Sequence, residues 1–557
     1  MHSTSRRALL GAGLGIAAGG ALAACSSSGT AGMKNMKGMS GTGSASPGAS
    51  SSGAPTGALV SPDGPQVAAR DRQRDHTGHT VTARLTATAG MVDLGGPMVR
   101  TWTFGGQLPY PRLRISRGDT LVARLANHLP EPTSVHWHGV ALRNDMDGVP
   151  PITQHQVAPG ADFDYRFSTD VPGTYWFHPH VGLQQDRGLY GALIVEDPHE
   201  PLKYDDEWVV VLDDWLDGVR GATPDSVYTQ LRKGMAGMNG MAPASATPSA
   251  SSSMSGMSGM DGMGGMDGTD KGSGGSSASG FVLSGATSAL LGGDAGDVKY
   301  PYYLVNGRVP AAPDVYSGKP GRRLRIRMIN AGGDTAFRVA LGGHRLTLTH
   351  TDGYPVDHQE VDALLIAPGE RDDVLVTLGD GVFPLTALAE GKNAAARALV
   401  RTGSGSTPPA DARPAELDGR ILGSTGLRAA GTDRLAARSA DVVHRIELTG
   451  GMNSYEWTLN GRPFDMNHAT AHPFTTRQGQ RVRMEFVNRT TMWHPMHLHG
   501  HTFQLGADGP RKDTVIVLPG KTVACDLDAE NPGRWLLHCH NVYHGEAGMM
   551  GLLGYVA

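Results

Sequence analysis

Cysteine is nearly missing from this chain: Cys25, Cys525 and Cys539 are the three in 557 residues. So few exclude a disulfide framework, and each needs its own explanation. Strong charge of either sign is missing as well. The 49 Lys and Arg against 53 Asp and Glu leave a formal net charge of −4, which argues against nucleic acid as a partner. The apolar run 8–24 is too short and too broken by glycine to make a stable membrane span. No stretch has the periodicity of a long amphipathic helix. What the chain does have is 78 Gly, 35 Pro and short apolar or alternating runs, such as 208–212 and 322–329. Turn residues stand close on either side of them, which reads as an all-β sandwich architecture.

The run 8–24 follows Arg6 and Arg7 and reads as an export signal, the paired arginines suggesting the twin-arginine route. Leu22-Ala23-Ala24-Cys25 matches a bacterial lipoprotein cleavage box, with Cys25 as the lipidated first residue. Residues 26–65 are Ser, Gly, Ala and Pro with almost no aliphatic pattern, and read as a disordered tether. As a random coil such a segment spans on the order of 35 Å. The expectation is an exported, extracytoplasmic protein, lipid-anchored to the bacterial cell envelope.

The chemistry is concentrated in histidines. His538-Cys539-His540 is followed by His544 and Met549. Thiolate, imidazole and a weak thioether form the ligand set of a blue-copper electron-transfer centre. On an extended segment the two histidines flanking Cys539 point away from its side chain, and so can serve a different metal. Three further clusters supply H-x-H pairs: His136-Trp137-His138-Gly139, His178-Pro179-His180, and His494-Pro495-Met496-His497-Leu498-His499-Gly500. Alternate positions of a strand share a face, so both imidazoles of a pair reach the same side. The four pairs give eight imidazoles, enough for a three-copper cluster. His494 remains to join Cys539, His544 and Met549.

These four motifs, in this order and with these spacings, resemble those of the multicopper oxidases, the family of laccases and bacterial copper-efflux oxidases. The resemblance implies four coppers. His494, Cys539, His544 and Met549 would hold the type 1 copper. His136 and His497 would hold type 2, and His138, His178, His180, His499, His538 and His540 the type 3 pair. It implies four one-electron oxidations coupled to reduction of O2 to two waters, with Cu(I), Fe(II) or phenols as reductants. Asp147, just after the first motif, resembles the acid that relays protons to the trinuclear cluster. Glu546, two residues past His544, is a candidate on the substrate side of the type 1 site. His501 reads as core or as support for a ligand, Met492 and Trp493 as possible type 1 edge contacts, and Cys525 as a small buried apolar side chain.

The resemblance also makes the fold specific: three consecutive cupredoxin-like Greek-key β-sandwich domains. They would span 66–198, 199–405 and 441–557, with a linker over 406–440. The trinuclear cluster would lie between the first and third, since each supplies two of the four pairs. Within the second, a Gly- and Ser-rich insert over 233–280 carries Met235, Met238, Met241, Met254, Met257, Met260, Met263 and Met266, and Met33, Met36 and Met39 repeat the pattern in the tether. Gly and Ser cannot build a core around these thioethers, which are soft ligands favouring Cu(I). The leading reading is therefore a cuprous oxidase serving copper tolerance. A laccase-type phenol oxidase is the alternative, and a non-catalytic Met-rich copper buffer the reading from another class.

Overall fold

The computed structural model describes residues 51–233 and 280–557. Cys25 and the methionines of both tracts lie outside the described residues. Six sheets carry most strands, and they pair off along the chain. In the first pair, Met98–Phe104, Thr80–Asp93, Thr120–Asn127 and Asp162–Ser168 run in that order. They face Tyr110–Ser116, Gly191–Glu196, Gly173–His178 and His136–His138. Leu85, Leu121 and Leu125 from one sheet close on Trp137, Phe177 and Leu193 from the other. Each such side chain withdrawn from water contributes roughly 1.5–3 kcal/mol.

The second pair is built around Asp206–Trp215, Arg323–Asn330 and Arg371–Thr377 on one side and Phe337–Leu341, Val382–Ala389 and Ala394–Arg401 on the other. Arg323–Asn330 shows how the alternation is used. Leu324, Ile326 and Met328 enter the core, while Arg325 and Arg327 are also buried, on the opposite face. There they pair with Asp373, Glu200 and Glu207, so the polar side of this strand is an interface rather than a wet surface. The third pair sets Val442–Gly451, Arg481–Asn488 and Thr522–Asp528 against Met550–Tyr555, Arg534–Cys539, His494–Leu498 and Thr514–Val517. The helices of the described residues are short, such as Pro65–Asp71, Pro224–Lys233 and Val542–Glu546, and none is long and apolar enough to cross a membrane.

One stretch departs from the sequence reading. The tether expected over 26–65 is not free where it is described. Ser51–Ser52 pairs with Val442–Gly451, Leu59 bridges Val556, and Val60 is buried with its N–H donated to Tyr555. Isolated apolar residues here meet an existing sheet edge, a contact that local composition does not register. The linker over 406–440 is likewise packed: Ile421–Leu422 adds to Ala363–Ile366, and Leu417, Leu427 and Ala429 are buried.

Candidate metal centre

Strand register brings the histidine motifs together. His136 pairs directly with His178 across the antiparallel strands of the first pair. In the third, His497 pairs with His538 and Met496 with Cys539. Eight imidazoles converge where the first and third pairs of sheets meet, and they sort into groups. His138, His178 and His540 form one triad, and His180, His499 and His538 another. The Nε2 atoms of His499 and His538 are 3.1 Å apart and those of His180 and His538 3.4 Å, while His540 Nε2 faces His138 Nδ1 at 3.2 Å. His136 and His497 complete the group, stacked on His499 and His138 respectively.

The hydrogen bonds decide which nitrogen of each ring is free. His178 Nδ1 donates to the carbonyl of Pro179, His538 Nδ1 to that of Cys539, and His497 Nδ1 to that of Asp513, each at 2.9 Å. His136 Nδ1 donates to the Asp147 carbonyl at 2.9 Å. A neutral ring with Nδ1–H so committed turns a bare lone pair on Nε2 inward, as a metal ligand requires. The Nε2 atoms of His136, His178 and His497 are buried without any hydrogen-bond partner. Burial, reinforced by neighbouring imidazoles, pushes His138, His178, His180, His499, His538 and His540 well below the ordinary histidine pKa. Uncharged rings with unpaired, convergent lone pairs fit metal ions of imidazole preference.

A second, sulfur-containing group lies beside the first. Cys539 Sγ is 3.6 Å from His494 Nδ1 and 3.7 Å from His544 Nδ1, and the two nitrogens are 3.1 Å apart. Met549 is fully buried next to them, its carbonyl accepting from Cys539 N and its N–H donating to His544 O, both at 3.0 Å. The Asn541 side chain caps the helix Val542–Glu546 by accepting from the N–H groups of Tyr543 and His544, which fixes His544. The outward Nε2 of each ring is satisfied, His494 by Thr490 Oγ1 at 2.8 Å and His544 by Asp297 Oδ2 at 2.9 Å.

Asp147 is fully buried against the eight-imidazole group, with Oδ2 3.0 Å from His499 Nδ1 and Oδ1 3.2 Å from His136 Nδ1. Glu546, two residues past His544, ends the helix Val542–Glu546. It lines a cavity of about 30 Å3 shared with His180, Gln185, Met466, His538, Cys539 and Met550, while the carboxylate hydrogen-bonded to His544 is Asp297. His501 is buried, its Nδ1 donating to the His499 carbonyl at 3.0 Å and its Nε2 accepting from the Tyr555 hydroxyl at 2.6 Å, and supports a neighbour. Met492 and Trp493 are buried, Met492 in the same apolar cluster as Cys539 and Met549, and Cys525 is fully buried, its thiol pushed up by that burial. Sequence reasoning missed Asp297, Thr490 and Asp513. They come from distant segments or carry no local pattern, and only the folded sheets place them.

A sulfur–imidazole group joined through one cysteine to a cluster of eight imidazoles, on paired β-sheets, defines a copper oxidoreductase. Comparisons agree. The chain matches multicopper oxidase family models over residues 86–200, 207–405 and 438–554. It is 47% identical to multicopper oxidase MmcO of Mycobacterium tuberculosis, over 99% of this chain and 97% of that one. It is 28% identical to copper resistance protein A of Escherichia coli, over 84% of this chain and 91% of that one. Among solved structures it resembles a multicopper oxidase from Pseudomonas thermotolerans, with TM-score 0.61, 25% identity, and coverage of 86% of this chain and 99% of that one. The chain belongs to the multicopper oxidase family, copper-dependent oxidoreductases that use O2.

Proposed function

We propose that this oxidase takes its electrons from Cu(I) outside the cytoplasm, in copper tolerance. His494, Cys539, His544 and Met549 would hold type 1 copper, His136 and His497 type 2, and the two imidazole triads the type 3 pair. Bound there, the coppers would accept single electrons from a donor and deliver four to O2. The observation that carries this reading is the position of Cys539. Its thiol faces His494 and His544, while its chain neighbours His538 and His540 enter different triads. A few covalent bonds therefore link donor side and oxygen side, and no reductant need approach the latter. Asp147 Oδ1, which accepts no hydrogen bond, is the atom that would carry a proton toward the cluster.

The donor assignment rests on the methionine tracts and on where the second one leaves the body. The helix Pro224–Lys233 leads into it, and Tyr228 of that helix packs edge-on against Tyr455 at 6.2 Å. Tyr455 in turn donates to Asp297 Oδ2 at 2.6 Å, beside His544. That helix, the last described element before the tract, is thus linked through Tyr455 and Asp297 to His544. Deleting 235–266 should lower Cu(I) oxidation more than oxidation of a methoxyphenol. Equal losses on both donors would defeat the assignment.

An open groove lined by Thr490, Thr491, Gly293, Asp294 and Pro519 favours a second reading. It lies one hydrogen bond from His494 and would admit an aromatic ring, as a laccase-type phenol oxidase requires. Anchoring through Cys25 completes the proposal, and Cys25→Ser should release the protein from the membrane fraction.

A further inference from the structure

The middle pair of sheets supplies no imidazole, yet one of its turns is laid against the eight-imidazole group. Gly369 sits with φ +87 where a Cβ would come within 2.8 Å of His540 Cδ2 and 3.1 Å of His138 Cε1. Two residues on, Arg371 is fully buried. Its guanidinium grips Asp513 with both prongs, Nη1 to Oδ1 and Nη2 to Oδ2, each at 2.7 Å. Bidentate pairing of this kind fixes orientation as well as charge. Nε donates to the Thr174 carbonyl at 3.0 Å and Nη1 also to the Gly369 carbonyl at 3.1 Å. One side chain thereby ties the first pair of sheets, through Thr174, to the third, through Asp513.

Asp513 is the reason this matters. Its Oδ1 lies 3.2 Å from His138 Nε2, and its backbone carbonyl accepts from His497 Nδ1 at 2.9 Å. His138 comes from the first pair of sheets and His497 from the third, and their rings stack 3.8 Å apart. His138 is oriented with Nδ1 toward His540 because Asp513 takes the Nε2 side. The approach leaves no slack: a Cβ on Gly139, at φ +81, would stand 2.3 Å from Arg371 Nη2 and 2.6 Å from Asp513 Oδ2.

We propose that Arg371 is a positioning residue for the trinuclear copper site: by clamping Asp513 it sets the orientation of His138 and His497, so the ligand-free middle of the chain determines how tightly the non-blue coppers are held. This rests on the copper assignment given above. Outer carboxylates on metal-bound histidines commonly tune affinity by about 10–100-fold. The loss here should fall on type 2 and type 3 copper and spare the Cys539 site.

The test compares copper-loaded wild type with Arg371→Lys, Arg371→Met and Arg325→Lys. Lys keeps the charge and cannot reproduce the two-pronged grip. Arg325 is an equally buried arginine of the same sheets, paired with Asp373 and Glu200 away from the imidazoles, and controls for loss of a buried guanidinium. Each protein is dialysed against a copper chelator. Blue absorption, the electron paramagnetic resonance signal of type 2 copper, total copper per chain and melting temperature are then read. The proposal expects Arg371→Lys to keep the blue band and lose non-blue copper at roughly tenfold or more lower chelator concentration than wild type. Arg325→Lys should lower melting temperature without that selective loss. Non-blue copper held as firmly in Arg371→Lys as in wild type would overturn the proposal. So would parallel loss of blue and non-blue copper in the Arg371 variants, or the same selective loss in Arg325→Lys. If Arg371→Met does not fold, Arg371→Lys decides. A wild type lacking either blue or non-blue copper would instead refute the copper assignment itself.

Discussion

His544 Nε2 lies 2.9 Å from Asp297 Oδ2, a carboxylate 247 residues earlier in the chain and fully buried beside Tyr455. Burial opposes a charged His544, yet Asp297 and then Cys539 outweigh it and raise the ring's pKa to about 10. The same negative charge would favour the more positive, oxidised state of a metal on Nδ1. Asp297→Asn should therefore keep the blue band and raise the potential of the site by roughly 60 mV, the equivalent of a tenfold change in a one-electron equilibrium. A redox titration followed at the blue band reads this directly. An unchanged potential would mean that Asp297 only fills space.

Asp147 touches His499 and His136 of the eight-imidazole group. Asp147→Asn keeps the shape of the contact to His499 and removes the acid, so oxygen consumption should fall by about a hundredfold or more, as is usual for a lost acid–base group. Blue absorption should be unaffected, and turnover at the wild-type rate would remove Asp147 from proton delivery.

Cys539→Ser separates catalysis from copper storage. A Cys539 thiolate on copper would give the site its colour and a path to His538 and His540, so the variant should be colourless and its oxygen uptake with any donor should fall to background. Cells expressing it should lose copper tolerance. Tolerance that survives unchanged would make the methionine tracts, acting as a buffer, the functional element.

His444 gives the body an acid-sensitive seam. Its Nδ1 lies 2.9 Å from Ser51 Oγ and its Nε2 3.1 Å from the Thr475 carbonyl, which pins the segment at 51–60 to the third pair of sheets. Burial holds its pKa down at about 4, against about 6.5 for an exposed imidazole. The unfolded chain takes up this proton near pH 6.5 and the folded chain only near pH 4. Stability is therefore intact above about pH 6.5 and lost as pH falls toward about 4, by at most about 3 kcal/mol. His444→Asn should flatten melting temperature against pH in that window. A slope identical to wild type would assign the acid sensitivity to other groups.

The clustering of the histidines with Cys539 was legible because its pattern is local. H-x-H on a strand, and a cysteine between two such histidines, place imidazoles by alternation alone, and each of those residues falls in one of the groups described. The groups that hold the imidazoles were not legible. Asp297 and Asp513 reach the site from connections between strands and Arg371 from the start of the strand Arg371–Thr377, and nothing in their neighbouring residues points to it. Glu546 was legible only as a neighbour of His544, and the helix Val542–Glu546 sets it at a cavity that Cys539, His180 and His538 also line. Residues 51–65 read as tether because Leu59 and Val60 are isolated among Ser, Gly and Pro, and only the edge of the third pair of sheets gives them a partner.

The central claim is a four-electron oxidase fed by Cu(I), and the stoichiometry of oxygen uptake tests it most directly. Copper-loaded protein given Cu(I) in an oxygen electrode should consume four Cu(I) and four protons per O2, releasing two waters and no hydrogen peroxide, faster than with a methoxyphenol. Two Cu(I) per O2 with accumulating peroxide, or uptake with the phenol alone, would contradict it.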